Sequence, residues 1–182
     1  MRLDSVRILG IDPALTCLGW GVILSESPKI HYISSGIVKT DAKTPIHNRL
    51  AYIVTSIEQI IELYKPEAIA MEETFVNVNA ISSLKLGYVR GALMSAIGKT
   101  GLPYYEFLPN KIKKTIVGVG HAEKEQVKHM VKIIMSGAME HITLDESDAL
   151  AAAYTCLVHQ KQLQQVDVIK KDTYFVARIV SE

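Results

Sequence analysis

Three strand-like segments at the start of the chain restrict its possible folds more than any other feature. β-branched and aromatic residues are concentrated in segments 6–11, 20–24 and 30–33 with 36–38, and Asp-Pro, Ser-Pro and Thr-Asp pairs mark turns near them. Because the connections are short, the segments are expected to pair with their sequence neighbours as a β-meander.

Helical and strand-like patterns alternate through the rest of the chain. Apolar residues recur at helical spacing from Pro45 to Tyr64, with Thr44 as the expected N-cap. Further predicted strands are 68–71 and 103–108, and further predicted helices are 79–99, 111–117, 123–135 and 145–160. This order is typical of a mixed α/β fold in which the meander opens a sheet that later takes crossover-connected strands. We assign residues 1–160 to one domain and 161–182 to a C-terminal tail, in which 173–180 have a strand-like pattern.

Acidic residues stand at the ends of two predicted strands. Asp12 directly follows segment 6–11 on its core-facing line, where a carboxylate is costly unless it is hydrogen-bonded or bound to a cation. The alternative is an Asp that forms the turn before the next proline. Glu72 and Glu73 end strand 68–71, and one of them should share the face of Asp12 if the strands are neighbours. Alternation does not say which, and two exposed glutamates remain the alternative.

A third acidic pair begins the last predicted helix. Asp145 and Asp148 are three residues apart, so both fall on one helix face and could reach the same divalent cation. The alternative is a capping arrangement in which these acids stabilise the helix N-terminus. Two predicted strands and one predicted helix each have acidic residues at one end, and no cysteine or histidine cluster suits zinc. The sequence therefore favours a site of oxygen ligands for Mg²⁺ or Mn²⁺.

The charge distribution is consistent with a nucleic-acid partner, although the formal net charge is only +1. Six lysines and two glutamates lie within residues 109–132, which gives a local basic stripe. The alternative is an ordinary solvated helix face.

The two cysteines and the apolar runs bear on location. Cys17 and Cys156 lie far apart without metal-site spacing, so reduced thiols and a cytoplasmic location are expected, and neither cysteine is a strong catalytic candidate. The apolar runs are shorter than a membrane span requires, and the N-terminus lacks a secretory pattern.

Five groups of motifs extend over about residues 6–158. They are Ile8-Leu9-Gly10-Ile11-Asp12-Pro13 with Gly19-Trp20-Gly21-Val22-Ile23; Ala70-Met71-Glu72-Glu73-Thr74-Phe75; Ser83-Leu84-Lys85-Leu86-Gly87 with Arg90-Gly91; Lys113-Lys114-Thr115-Ile116-Val117-Gly118-Val119-Gly120 with Ala122-Glu123-Lys124; and Asp145-Glu146-Ser147-Asp148-Ala149-Leu150-Ala151. In order and spacing they resemble the RuvC family of Holliday-junction resolvases.

The resemblance implies an RNase H-like fold and a homodimeric endonuclease that resolves four-way DNA junctions by paired symmetric nicks in recombination and repair. It implies that Asp12, Glu72, Asp145 and Asp148 are the catalytic metal ligands, and it therefore favours Glu72 over Glu73. Two Mg²⁺ ions per site are implied, with Mn²⁺ as a substitute, and the RuvA-RuvB branch-migration complex is the implied partner.

Three further residues are implied to contact DNA. Phe75 resembles the aromatic residue that stacks on a base near the crossover, and its alternative is a core Phe. Lys113 and Lys124 match positions that contact the DNA backbone, and their alternative is an ordinary solvated lysine.

The sequence also departs from the family pattern. Ala14 and Thr16 stand where the family usually has Gly and often Arg, and Val78 stands where Lys is frequent, which removes possible DNA contacts or loop flexibility. Gly87 and Gly91 leave a bare stripe on their helix, which is a candidate dimer seam or an internal packing surface.

Two rival functions share parts of the pattern. An actin-like ATPase also opens with Gly-Ile-Asp before a hairpin, but Asp12-Pro13-Ala14-Leu15 lacks the phosphate-binding turn and the chain is too short for two lobes. The second rival is an RNase H-fold protein that binds junctions without cutting them.

Overall fold

The strands of the structure form a mixed five-stranded sheet. The computed structural model describes residues 5–73, 80–137 and 141–179, with side chains up to residue 163. The strands are β1 (Ser5–Asp12), β2 (Cys17–Glu26), β3 (Lys29–Lys39), β4 (Ala68–Glu72) and β5 (Tyr104–Phe107). Their spatial order is β3-β2-β1-β4-β5. β1, β2 and β3 pair antiparallel, which confirms the predicted meander, whereas β4 pairs parallel to β1 and β5 parallel to β4.

Helices cover both faces of this sheet. They are α1 (Ile46–Tyr64), α2 (Ala80–Thr100), α3 (Pro109–Val117), α4 (Lys124–Ile134) and α5 (Leu144–Ile179). Buried residues of α1 and α2 pack on one face, and those of α3, α4 and α5 pack on the other. Among the described helices, none combines the length and apolarity of a membrane span.

Strand alternation sorts the residues of β1 between the two cores. Val6 and Ile8 pack in the core beneath α5, whereas Leu9 and Ile11 pack in the core beneath α1 and α2. Because side chains alternate along a strand, Asp12 belongs to the α5 face of the sheet.

Two glycines allow α5 to lie directly on the sheet. A Cβ atom on Gly10 of β1 would lie 1.9 Å from the carbonyl oxygen of Ala149, and a Cβ atom on Gly21 of β2 would lie 2.6 Å from side-chain atoms of Leu150. Four alanines of α5 are fully buried against the same face, namely Ala149, Ala151, Ala152 and Ala153. Small residues on both elements therefore set the short distance between helix and sheet.

Two local predictions are wrong. Pro45, not Thr44, is the N-cap of α1, because Pro45 keeps an extended ψ of 141° and the Thr44 N–H donates to the Asp41 carbonyl at 3.1 Å within a turn. The strand predicted at 173–180 is also wrong, since α5 continues to Ile179. A continuing helix satisfies each backbone group within its own segment, whereas a strand needs a neighbouring strand. The division into residues 1–160 and a tail stays a prediction.

Candidate active site

The carboxyl ends of β1 and β4 bring the first two acidic residues together. Ile11 of β1 is paired in parallel with Met71 of β4, so Asp12 and Glu72 follow at neighbouring positions on the same sheet edge. In β4, Ala68 and Ala70 face the α5 core, and alternation gives Glu72 the same face as Asp12.

Glu73 lies on the opposite side of β4. Its charge acts on Tyr104, which packs in the core beneath α1 and α2. The residue pattern did not decide whether Glu72 or Glu73 shares the face of Asp12, and the family resemblance favoured Glu72. The structure brings Glu72, rather than Glu73, to the face that carries Asp12.

A cavity of about 150 Å³ collects most of the predicted site residues. Its charged lining consists of Asp12, Glu72, Asp148, Lys113 and Lys124. The remaining lining comes from α3 and α4, namely Pro109, Ile112 and Val127. Three carboxylates from β1, β4 and α5 therefore share one small pocket with two lysines.

Asp145 lies beside this cavity and does not line it. Its backbone carbonyl oxygen would be 2.2 Å from a Cβ atom on Gly19, which is the cross-strand partner of Asp12. Its charge contributes to raising the pKa of Asp12, so the two carboxylates interact electrostatically. Gly19 thus permits the close approach that brings Asp145 next to the strand end.

Cys17 is a neighbour of the site that the sequence interpretation missed. Its thiol is hydrogen-bonded to the Asp145 carboxylate, and burial, followed by this hydrogen bond, raises the pKa of the thiol. The protonated thiol is therefore a donor to Asp145. Two-residue periodicity along β2 could have indicated this position, since Cys17 and Gly19 share a strand face.

The first turn of α5 is capped by residues other than the two aspartates. Thr143 Oγ1 accepts a hydrogen bond from the Glu146 N–H at 3.3 Å, and a Glu146 carboxylate oxygen accepts one from the Thr143 N–H at 2.8 Å. Asp145 is thus not the N-cap and Asp148 is not its capping partner, although Asp145 does lie in the first turn, where an acid complements the helix dipole. The Thr-x-x-Glu pattern at 143–146 was the missed signal, because it is the usual sequence of a capping box.

Ser35 of β3 ties this capping box to the sheet. Its hydroxyl donates to the second oxygen of Glu146 at 2.8 Å and lies 3.1 Å from the Tyr32 hydroxyl. Burial tends to raise the pKa of Glu146, but the hydrogen bonds from Thr143 and Ser35 outweigh it and hold this pKa below its usual value. The ionised Glu146 therefore fixes the helix turn that carries Asp145.

The loop after Asp12 is held from the side of α1. Arg49 is buried and donates to the Leu15 carbonyl at 3.2 Å, to Thr16 Oγ1 at 3.0 Å and to Thr40 Oγ1 at 2.8 Å. Thr16, which departs from the family pattern, thus makes an internal hydrogen bond in the place where the family often has Arg. No residue pattern indicates this role of Arg49, because its hydrogen-bond partners lie in other segments of the chain.

Electrostatic repulsion is concentrated on the half-buried carboxylates of the cavity. Burial, followed by the charges of Glu72 and Asp148, raises the pKa of Asp12 to about 8. Burial and the charge of Asp148 raise the pKa of Glu72 to about 7. Burial also raises the pKa of Asp148, although Lys124 opposes the shift. A pocket of this kind favours bound cations, because they remove the repulsion between the acids.

The donor set fits hard divalent cations, because it consists of carboxylate oxygens. In the described ranges 5–73, 80–137 and 141–179, however, no three acidic, histidine or cysteine side chains are already arranged as a metal ligand shell. Lys124 Nζ instead lies 2.8 Å from Asp148 Oδ2. The acids thus have the chemistry of a metal site and are partly neutralised by a lysine.

The predicted DNA contacts have different outcomes. Lys113 and Lys124 line the cavity, with Lys113 contributed by α3 and Lys124 by the first residue of α4. Both lysines therefore line the same cavity as Asp12, Glu72 and Asp148, and their contact with DNA stays a prediction. Phe75 and Val78 lie outside the described residues.

Comparisons with known proteins agree with this architecture. A family model for crossover junction endodeoxyribonuclease RuvC matches residues 8–156. The chain is 55% identical over 151 residues to the crossover junction endodeoxyribonuclease RuvC of Rickettsia bellii (strain RML369-C), an alignment that covers 83% of this chain and 96% of the relative.

Solved structures confirm the expected α/β, RNase H-like fold. Thermus thermophilus RuvC is similar with a TM-score of 0.76 and 32% identity, over 86% of this chain and 96% of the other. T. thermophilus RuvC in complex with Holliday junction substrate is similar with a TM-score of 0.77 and 32% identity, over 82% of this chain and 92% of the other. The chain therefore belongs to the crossover junction endodeoxyribonuclease RuvC family.

Proposed function

We propose that this protein is a metal-dependent endonuclease that resolves four-way DNA junctions by hydrolysing phosphodiester bonds. The observation that carries the proposal is the cavity in which Asp12, Glu72 and Asp148 meet Lys113 and Lys124. Acids that bind cations, next to lysines that attract phosphate, form the combination that phosphodiester hydrolysis requires. Membership of the RuvC family supports the same function.

Four carboxylates are proposed as the metal ligands. Asp12 and Glu72 would hold cations from the sheet edge, and Asp145 and Asp148 would hold them from the first turns of α5. When bound, two Mg²⁺ ions, or Mn²⁺ in their place, would activate the attacking water and stabilise the departing 3′ oxygen. Products with 5′-phosphate and 3′-hydroxyl ends would follow, which a ligase can seal.

Lys113 and Lys124 are proposed to orient the DNA strand. Both line the cavity, and the Lys124 side chain is 55% exposed, so it can reach a phosphate at the cavity mouth. Lysine ammonium groups provide the phosphate attraction on which most DNA affinity depends. Phe75 is proposed to stack on a base near the crossover, which rests on the family resemblance.

The partners are proposed to be junction DNA, a second copy of the chain and the RuvA-RuvB complex. A dimer with two identical sites suits a junction of near two-fold symmetry. The exposed face of α2 supports a dimer seam, since Ile81, Leu84 and Tyr88 are 67%, 56% and 45% exposed there. The RuvA-RuvB partnership rests on the family alone, and a cytoplasmic location rests on the free cysteines Cys17 and Cys156.

The experiment that tests the proposal compares two adjacent glutamates and Asp12 in a cleavage assay. Asp12→Asn and Glu72→Gln should bind a labelled synthetic four-way junction as tightly as the unaltered protein in Ca²⁺. In Mg²⁺ both should lose about a hundredfold or more in cleavage rate, the effect typical of removing one group that stabilises transition-state charge.

Glu73→Gln is the matched control, because Glu73 follows Glu72 but lies on the opposite face of β4. It should cleave at the normal rate. Unchanged cleavage by Asp12→Asn would contradict the assignment of the site. Binding without cleavage by the unaltered protein in Mg²⁺ or Mn²⁺ would instead favour a non-catalytic junction-binding protein.

A further inference from the structure

Lys124 is a protein cation placed at one of the proposed metal ligands. Its ammonium Nζ lies 2.8 Å from Asp148 Oδ2, and the two side chains are 55% and 13% exposed. The lysine is the first residue of α4, whose first turn is fixed by a capping box between Glu123 and Gln126. The backbone anchor of Lys124 is therefore rigid, whereas its long side chain can rotate towards solvent.

The lysine also neutralises more than one acid. Its charge lowers the pKa of Asp12, of Glu72 and of Asp148 against the raising effect of burial. Lys113 lines the same cavity, and its charge also lowers the pKa of Glu72 and of Asp148, but in the described part of the chain it forms no ion pair with a carboxylate. The two lysines thus share a location and differ in whether an acid holds them.

One carboxylate oxygen has to serve either the lysine or a metal ion. Mg²⁺ requires ligand oxygens at about 2.0–2.1 Å in near-octahedral geometry, and an ammonium on the same oxygen would repel the ion. The cavity of about 150 Å³ is also small for the Lys124 ammonium and a Mg²⁺ ion together with the waters that Mg²⁺ retains.

We propose that Lys124 is a tethered cation that holds Asp148 in the metal-free protein and is displaced when divalent ions bind, which frees its ammonium to contact a DNA phosphate. The inference rests on the proposed function of the site and deepens it. Lys124 is then a positioning residue that lowers the metal affinity of the protein without DNA. Metal binding and DNA binding are therefore coupled. The metal ion releases Lys124 from Asp148, and the released ammonium contacts a phosphate only when DNA is also bound.

The test measures Mn²⁺ binding by calorimetry in the absence of DNA. Lys124→Met should bind Mn²⁺ about fivefold more tightly than the unaltered protein, the effect of removing one partly exposed ion pair. Lys113→Met removes the same charge from the same cavity and should change the affinity less than Lys124→Met does. Equal gains in both variants would mean that only total charge matters and would overturn the inference.

A second measurement follows the displaced lysine. The affinity for a four-way junction falls as salt rises, and a plot of log affinity against log salt gives a negative slope. In Ca²⁺, Lys124→Met should make this slope shallower by about one, because one phosphate contact is lost. In EDTA the slope should not change, since Lys124 then remains with Asp148. If Lys124→Met makes the salt-dependence slope shallower by the same amount in EDTA, the proposed displacement is overturned.

The same data separate this inference from the proposed function. Metal binding by the unaltered protein with no difference for Lys124→Met would leave the nuclease site intact and reject only the role of Lys124. No metal binding by any variant would reject the proposed function itself. Because Lys124 is half exposed at the start of a helix, the variant should fold, and its thermal unfolding midpoint checks this.

Discussion

At the scale of single residues, Asp12 is the most perturbed group in the pocket. It ends a buried strand, faces α5 and shares its cavity with Glu72 and Asp148. Burial, and after it the neighbouring acids, raises the pKa of Asp12 to about 8. Near neutral pH, Asp12 of the metal-free folded protein therefore holds a proton that the unfolded chain would have released.

This proton predicts a pH dependence of stability. The unfolded-state pKa of an Asp is about 4, so the folded protein binds more protons than the unfolded chain between about pH 4 and the raised folded-state pKa of about 8. The free energy of unfolding that Asp12 contributes is therefore highest at low pH and is lost as pH rises through this window.

Thermal unfolding midpoints in EDTA between pH 5 and pH 9 check this prediction. The midpoint should fall with pH in the unaltered protein and fall less steeply in Asp12→Asn. Added Mg²⁺ should recover stability at the alkaline end, because ligand that binds only the folded state stabilises it. Identical pH slopes for both proteins would contradict the assigned environment of Asp12.

Gly10 gives a second prediction at the residue scale. A Cβ atom there would lie 1.9 Å from a backbone oxygen of α5, so Gly10→Ala should push the helix away from β1. The expected loss is about 1–3 kcal/mol of unfolding free energy, as for overpacked cores, together with slower cleavage. Urea denaturation and the junction assay measure the two effects.

Gly98→Ala is the control for this substitution. Gly98 lies within α2 and has no atom within 4 Å of the added Cβ position. Replacing a helical Gly by Ala should leave stability unchanged or raise it by up to about 1 kcal/mol. Equal effects of the two substitutions would mean that the close approach of α5 is unimportant.

At the scale of elements, the start of α5 determines where two of the four acids lie. Thr143 and Glu146 cap the helix, and Ser35 attaches the cap to β3. Asp145 and Asp148 are thereby left without a capping role; Asp148 lines the cavity and Asp145 lies beside it. The capping box and the acids occupy the same turn, so the local stability of this turn matters to the site.

Thr143→Ala tests this coupling. Loss of an N-cap hydroxyl should lower the free energy of unfolding by about 1 kcal/mol and should also slow cleavage, because the turn that carries Asp145 becomes less ordered. The control is Thr115→Ala on α3, whose hydroxyl donates to the Lys111 carbonyl within the helix and caps nothing. It should have a smaller effect on stability. Normal cleavage by Thr143→Ala would contradict a link between the cap and the site.

At the scale of the whole molecule, α2 has two opposite apolar faces. Val89, Leu93 and Ile97 are buried against the sheet, while Ile81 and Leu84 are exposed. The glycines at 87 and 91 have open space around their Cβ positions. A helix that is apolar on its outer face is well suited to pack on a second copy of itself.

Leu84→Glu should therefore weaken self-association. A buried Leu side chain contributes about 1.5–3 kcal/mol, so the dimer dissociation constant should rise at least about tenfold, measured by sedimentation equilibrium. Ile133→Glu is the control, because Ile133 on α4 is also exposed, at 62%, but lies away from α2. A monomeric unaltered protein, or equal effects of both substitutions, would contradict the proposed seam.

The sequence by itself determined the five strands, most of the helix positions and the sheet face of Asp12. Alternation along β1 and β4, helical spacing in α1 and turn signals are properties of neighbouring residues, so they can be read without knowing what packs on them. The same locality explains the wrong N-cap at Thr44, where a turn decides, and the wrong strand at 173–180, where the preceding helix continues.

Only the tertiary structure decided which side chains meet. The choice between Glu72 and Glu73 depends on β4 lying beside β1, and the contact of Cys17 with Asp145 depends on α5 lying over β2. The pairing of Lys124 with Asp148 joins residues 24 positions apart. Such contacts come from the packing of whole elements, because a residue pattern specifies which face a side chain shares but not which element covers that face.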